Sequence, residues 1–365
     1  MLTLKEITLV KLVTQFRNDS DYRGRIYDIT GEVKEKAFIK KISSSDIPKV
    51  LQGNIIALIK PIQSEVYNWL EDHDGIFTTE QEGSLKLCFN ADGTVNRIKT
   101  ADSLIHSKWL NLQTRFVLAC QYWPSIDILA FFRKIYCVQR CRIRRKYSKL
   151  KENFNKHEKN AVQWIRQYKE TFMLQFPSMK WCYCCYNWTY VSLQSRLLND
   201  LPEEVYQSLL DKTFKEANEL HVARFCLFRI NADRREDVLK CFPLKVLRIY
   251  LLYPCHHFFL DAANKVWNRL PGNHFICLLH IIICQKILAL WEDFDYVGLL
   301  RQFWHRSPDH LKQSVKGTHI FDVLMEIVKK GFQSKDVPPN FFLHANAYGN
   351  AFICETSMYE IINHQ

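Results

Sequence analysis

Residues 125–176 read SIDILAFFRKIYCVQRCRIRRKYSKLKENFNKHEKNAVQWIRQYKETFMLQF, without a single Gly or Pro. Because Gly and Pro are the residues that most often end a helix, their absence over so long a segment favours helical structure. The whole chain follows the same trend, since 11 Gly and 11 Pro among 365 residues are about half of the average usage. The sequence therefore predicts an all-α protein.

The same segment carries an apolar stripe with a seven-residue period. One series is Ile143, Leu150, His157 and Trp164, and the series four residues further on is Tyr147, Phe154, Ala161 and Tyr168. The spacing predicts one long amphipathic helix over 125–176, or two in tandem, docked on the body of the protein. A coiled-coil dimer is the alternative, but large aromatic side chains fit a coiled-coil seam poorly.

Composition excludes several classes of protein. With 47% hydrophobic residues the chain buries enough apolar surface to fold, and its 365 residues support one large core or two ordinary ones. The opening helix, which begins with a Thr3–Glu6 capping box, carries charges and so does not read as a secretory signal. An odd number of cysteines, 13, without export favours reduced thiols and a cytoplasmic location, with the nucleus also possible.

Positive charge is concentrated in one place. Eleven Lys and Arg against two Glu give residues 133–159 a charge of +9, out of a formal net charge of +12 for the chain. Such a face attracts phosphate backbones, anionic lipid headgroups or an acidic protein, and it also fits a solvated helix face without a ligand. The candidate binding residues are Arg140, Arg142, Arg144, Arg145, Lys146 and Lys149.

The whole chain divides by composition into four parts. We predict an N-terminal helical region (1–124), a long basic helical segment (125–176), a C-terminal helical-repeat region (177–335) and an irregular tail (336–365). Residues 76–98 form a small β-hairpin or a loop, because alternation around Leu87 is followed by the turn signal Asp92-Gly93. A weak internal repeat aligns 199–210 with 268–279, and Arg115-Phe116-Val117-Leu118 is similar to Arg224-Phe225-Cys226-Leu227, which favours a body of degenerate helix pairs.

The other motifs do not predict a particular chemistry. The chain lacks a Gly-rich phosphate loop, a GxSxG elbow and an HExxH helix, so we predict no enzyme activity and no cofactor. Two Cys-containing patterns, 182–185 and Cys277/His280/Cys284, are more typical of buried small side chains than of a metal site. The acidic stretch 292–295 suits the N-terminus of a helix as well as it suits a cation.

Parts of the sequence resemble two known groups of proteins. Leu201-Pro202-Glu203-Glu204-Val205 resembles the opening of an F-box, the helical module that docks an adaptor to a ubiquitin ligase. Longer stretches are similar to a group of uncharacterised spider proteins with degenerate ankyrin-like helical repeats, and these stretches are 4–12, 97–100, 291–300, 303–305 and 307–308. This second resemblance implies an α-helical repeat fold and no particular activity.

The function that follows is a non-enzymatic intracellular protein-interaction module whose partner is an unidentified protein. One alternative is binding of nucleic acid or an anionic membrane through the basic segment 133–159. The other alternative is a ubiquitin-ligase adaptor acting through 201–210. No small-molecule substrate is predicted.

Overall fold

The computed structural model describes residues 3–18, 38–173 and 188–329, and within these ranges the chain is mostly α-helical. The described residues include no β-strand, so the predicted all-α class is confirmed. The chain divides into two units, Met1–Lys212 and Thr213–Gln365. The predicted tail 336–365 and the cysteine-rich stretch 182–185 lie outside the described residues.

Besides a short helical stretch at 38–43, the first unit contains ten complete α-helices within the described ranges. They are α1 (Leu4–Asn18), α2 (Lys49–Ala57), α3 (Ile59–Asp72), α4 (Thr79–Gly83), α5 (Arg97–His106), α6 (Leu112–Tyr122), α7 (Ser125–Lys134), α8 (Cys137–Lys146), α9 (Lys156–Met173) and α10 (Tyr190–Leu193). The predicted capping box opens α1: the Glu6 N–H donates to Thr3 Oγ1 at 3.2 Å, and the Thr3 N–H donates to the Glu6 carboxylate at 2.6 Å. These bonds satisfy N–H groups that have no partner inside the helix.

The core of the first unit forms around α6, which packs against α5 and α9. Its centre is aromatic: the Phe116 and Trp164 rings meet edge to face at 5.7 Å, and Phe132 contacts Trp164 in the same way at 5.3 Å. All three side chains are fully buried. Edge-to-face pairs add to the free energy gained from burying the rings themselves.

The segment 125–176 is helical in three pieces, α7, α8 and α9, where the sequence predicted one long helix or two in tandem. The apolar stripe does dock on the body, because Ile143, Tyr147, Phe154 and Trp164 all belong to one buried core. Leu150 departs from the pattern and is 58% exposed, since it lies in the connection between α8 and α9. The breaks let the chain turn back, so that apolar residues far apart in sequence reach the same core.

Residues 76–98 contain the short helix α4 and then a tight turn. The Asn90 N–H donates to the Thr94 carbonyl oxygen at 2.9 Å, and one isolated antiparallel bridge joins Phe89 to Val95. Gly93 adopts φ 83°, a left-handed conformation that glycine adopts without steric cost. The predicted turn is therefore present, although the pairing is too short to count as strands.

The second unit begins within α11 (Glu203–Glu216) and continues to the end of the described chain. Its helices are α12 (Leu220–Arg229), α13 (Ala232–Cys241), α14 (Pro243–Tyr250), α15 (Phe259–Val266), α16 (Gly272–His280), α17 (Tyr296–Arg306), α18 (Asp309–Val315) and α19 (His319–Lys329). α16 runs directly into a π-helix, Ile281–Leu288, which ends where Leu290 takes φ 54°. A left-handed residue other than glycine costs about 1–2 kcal/mol, and here it turns the chain towards α17.

Several helices in both units are joined by only two residues, both in extended conformations. These linkers are Trp123-Pro124, Ile135-Tyr136, Ile230-Asn231 and Ser307-Pro308. The repeated sequences 199–210 and 268–279 also share a local structure, in which a 3₁₀ turn precedes Leu-Pro and a new helix. Short connections of this kind join helices that are neighbours in space.

Candidate functional site

α8 is anchored to the first unit by a single apolar side chain. It starts after the extended residue Tyr136 and ends at Tyr147, whose N–H donates to the Ile143 carbonyl oxygen at 3.0 Å. Among its residues, Cys137–Lys146, only Ile143 is buried. Most of the α8 surface therefore faces solvent, including the majority of its cationic side chains.

The structure separates the six predicted binding residues into two groups. Arg140 is half-buried and donates to the Arg133 carbonyl oxygen at 3.3 Å, at the C-terminus of α7. Lys146 is also half-buried, and its Nζ lies 2.9 Å from Glu158 Oε1 and 3.3 Å from Gln113 Oε1. Arg140 and Lys146 therefore form contacts within the protein.

The other four predicted residues remain available to a ligand. Arg142, Arg144, Arg145 and Lys149 are exposed, and none of their side chains forms an ion pair or hydrogen bond with the described residues. We call Arg142, Arg144 and Arg145, together with Cys137, Val138 and Cys141, the α8 face, because all six side chains are exposed on this helix. The last turn of α7 adds the exposed Arg133 and Lys134 nearby in sequence.

The sequence predicted reduced thiols but did not single out the two cysteines of the α8 face. Cys137 and Cys141 are both free and exposed. At four residues apart they lie one helical turn from each other, and Arg145 continues the same line. With about 100° per residue, this line runs opposite the buried Ile143. The four-residue spacing inside a basic segment was the signal that sequence reasoning could have used.

A second group of polar side chains is buried in the second unit. The Tyr296 hydroxyl lies 2.8 Å from His256 Nε2 and 3.2 Å from Asp293 Oδ1. Lys286, on the π-helix, places Nζ 3.4 Å from the centre of the Trp291 ring. Burial lowers the pKa of His256 to about 3 and that of Lys286 to about 8, and it raises the pKa of Asp293. The cluster fixes the turn that leads from the π-helix into α17.

A third polar group lies inside the first unit. The Gln121 amide donates to the His157 carbonyl oxygen at 3.0 Å, and its Oε1 accepts from Asn160 at 3.0 Å. Burial lowers the pKa of His157 to about 4, so the ring is neutral at pH 7. His73, bonded to the Tyr122 hydroxyl at 3.0 Å, is also held neutral because burial lowers its pKa. His73 thus bonds the end of α3 to α6, and Gln121 bonds α6 to α9.

The remaining sequence motifs acquire structural roles. Asp295 caps α17 by accepting from the Gly298 N–H at 2.8 Å, which confirms the helix-terminus interpretation for this residue. Cys284 Sγ is 4.0 Å from His280 Nδ1, while His256 bonds to Tyr296 instead of joining them. Over the described ranges, no three His, Cys, Asp or Glu side chains converge where a metal ion could bind.

Comparison of the chain with known protein families, curated proteins and solved structures finds no match. The similarity to ankyrin-like spider proteins stays a prediction, as does the resemblance of 201–210 to an F-box. Within the part of the chain that the structure describes, no helix is both long enough and apolar enough to cross a membrane.

Proposed function

We propose that this protein is a non-enzymatic protein-interaction module whose α8 face binds an acidic partner protein. The observation that carries the proposal is a group of exposed cations, Arg142, Arg144 and Arg145 on the α8 face and Lys149 just after the helix. Their side chains have no partner among the described residues. Cations that are not neutralised within the protein attract acidic side chains and orient the partner as it approaches.

The body that presents this face is a degenerate helix-pair repeat of the ankyrin-like kind. The two-residue linkers support this architecture, and so does the shared local structure of 199–210 and 268–279. In such bodies each helix pair buries its apolar side against its neighbours, and the exposed sides bind extended partners. We also propose a cytoplasmic or nuclear location, because an odd number of cysteines, 13, favours reduced thiols.

A second candidate function is binding of nucleic acid or an anionic membrane through the same segment, 133–159. All three cations of the α8 face are arginines, and a guanidinium group binds one phosphate through two hydrogen bonds. Tyr136, directly before the helix, is 82% exposed, and exposed aromatic rings stack on unpaired bases. A third candidate, the ubiquitin-ligase adaptor, is supported by an exposed Val205 on α11.

The experiment that tests these functions uses the tagged full chain in a pull-down from native cell extract, with and without nuclease, followed by mass spectrometry. The test variant is Arg142→Glu/Arg144→Glu/Arg145→Glu. The control variant, Lys265→Glu/Arg269→Glu/Lys316→Glu, makes the same charge change at three exposed positions of the second unit.

We expect a set of acidic proteins that survives nuclease, is retained by the control variant and is lost from the test variant. Loss of the set after nuclease would replace the proposal by nucleic-acid binding, which also weakens steeply between about 50 and 200 mM salt. Retention of every protein by the test variant would exclude the α8 face, and ubiquitin-ligase subunits among those proteins would favour the adaptor function.

A further inference from the structure

The α8 face carries two cysteines that the proposed function leaves unused. Cys137 and Cys141 are exposed thiols one helical turn apart, and they share the surface with Arg142, Arg144 and Arg145. A buried cysteine behaves as a small apolar side chain, whereas an exposed one is open to reaction. The arrangement places two exposed sulfurs beside positive charges that are not compensated within the described residues.

A third exposed cysteine provides a natural comparison. Cys241 is the last residue of α13 and is also a free, exposed thiol. Its surroundings are close to neutral, because Lys240 pairs with Glu236 at 3.1 Å and lies 4.0 Å from Asp237. Cys241 therefore has the accessibility of the α8 thiols, but its cationic neighbour is already paired with an acidic side chain.

We propose that Cys137 and Cys141 are sites of reversible S-thiolation by anionic low-molecular-weight disulfides, the class to which oxidised glutathione belongs. The arginines of the α8 face raise the local concentration of the anionic reagent and stabilise the negative charge that is shared among the sulfurs during exchange. Because all three cysteines are exposed, the positive charge around Cys137 and Cys141 decides that these two react faster than Cys241.

The reaction is thiol–disulfide exchange. The cysteine loses its proton, and the thiolate attacks one sulfur of the disulfide, forming a new S–S bond to the protein. The S–S bond of the reagent breaks, and its second sulfur leaves with the electron pair and takes up a proton. The protein sulfur is oxidised, the departing sulfur is reduced, and a free thiol reverses the step.

Geometry favours mixed disulfides over a bond between the two cysteines. Side chains four residues apart on a helix have Cβ atoms about 5–6 Å apart. A disulfide requires a Cβ–Cβ distance of about 3.5–4.5 Å. While α8 remains helical, the two sulfurs therefore react independently, and each adduct places carboxylates beside the arginines. Loss of partner binding on thiolation is a consequence that rests on the proposed function, whereas the modification itself does not.

The test compares oxidised glutathione with the neutral hydroxyethyl disulfide on the full chain at 50 mM and 1 M salt. Non-reducing peptide mapping gives the initial rate at each cysteine, and the rate at Cys141 or Cys137 is divided by the rate at Cys241. We expect this ratio to be about tenfold larger for the anionic reagent at 50 mM salt. At 1 M salt, where the Debye length is about 3 Å, the two reagents should give the same ratio.

Equal ratios for both reagents at low salt would overturn the proposal, as would a Cys137–Cys141 disulfide as the main product. The variant Arg142→Gln/Arg144→Gln/Arg145→Gln should remove the preference for the anionic reagent, and an unchanged preference would also overturn it. The pull-down is then repeated with the thiolated chain, as a separate measurement of partner binding. Selective thiolation without an effect on capture would contradict the proposed function and leave the modification site standing.

Discussion

Acidification should destabilise the first unit through His157, whose ring is completely buried between α6 and α9. Its Nδ1 lies 3.4 Å from Gln121 Oε1, and its Nε2 is buried without a hydrogen-bond partner among the described residues. Burial lowers its pKa from 6.5 to about 4 in the folded protein. In the unfolded chain the imidazole regains the ordinary value.

The direction and size of this change in the free energy of unfolding follow from proton linkage. Between pH 6.5 and pH 4 the unfolded chain binds a proton at this site that the folded protein does not bind, so stability falls as the pH falls through this window. Above pH 6.5 neither state binds this proton, and acidification no longer lowers the free energy of unfolding through His157. For these two pKa values, the free energy of unfolding decreases by about 2 kcal/mol from pH 7.5 to pH 5.

The assay is urea unfolding at pH 7.5 and pH 5, monitored by hydrogen exchange in peptides from α6 and α9, which report on the first unit. His157→Asn removes the titrating group, and it should reduce the pH-dependent loss by about 2 kcal/mol relative to wild type. His106→Asn changes an exposed histidine of the same unit and should keep the wild-type pH dependence. An identical pH dependence in His157→Asn and wild type would refute the assignment of a buried, neutral His157.

Four further outcomes are expected from urea unfolding of variants. Trp164→Ala empties the centre of the aromatic core and should lower the free energy of unfolding by about 3–5 kcal/mol. In the wild type the Arg97 guanidinium lies 2.6 Å from the Asp72 carboxylate. Asp72→Ala leaves this charge unpaired in a buried site and should lower the free energy of unfolding by about 3–5 kcal/mol. Asp72→Leu/Arg97→Met removes both charges and should lower it much less. Asp295→Ala removes the α17 cap and should cost about 1 kcal/mol. His256→Asn should weaken the acid sensitivity of the second unit by about 2 kcal/mol at pH 5, because burial lowers the pKa of His256 to about 3.

The sequence predicted the positive charge of the candidate site, but not which of its side chains are exposed and which are paired within the protein. A local excess of Lys and Arg is visible in the sequence, and the structure keeps Arg142, Arg144 and Arg145 exposed. Nothing in the spacing indicated that Lys146 pairs with Glu158 or that Arg140 binds a carbonyl oxygen of α7, because both contacts depend on the path of the chain between helices. The exposure of Cys137 and Cys141 was missed for the same reason.

The buried polar clusters escaped prediction on different physical grounds. Gln121 and His157 are 36 residues apart, and His256 and Tyr296 are 40 apart. Hydrogen bonds between such distant residues leave no periodic signal, since each residue alone is a common polar interruption of an apolar pattern. Local signals fared better, because the Thr3–Glu6 capping box and the Asp295 cap depend only on neighbouring residues.

By itself, the sequence determined that this protein is all-α, where several of its helices begin, and where its positive charge is concentrated. These properties depend on interactions over one or two helical turns. Only the tertiary structure decided how 125–176 is divided, because a continuous helix of that length would be about 78 Å long and its apolar stripe would not fit one core. Lys146 and Glu158 would lie about 18 Å apart along such a helix. Their 2.9 Å ion pair forms because burial of Tyr147, Phe154 and Trp164 in a single core folds the chain back on itself.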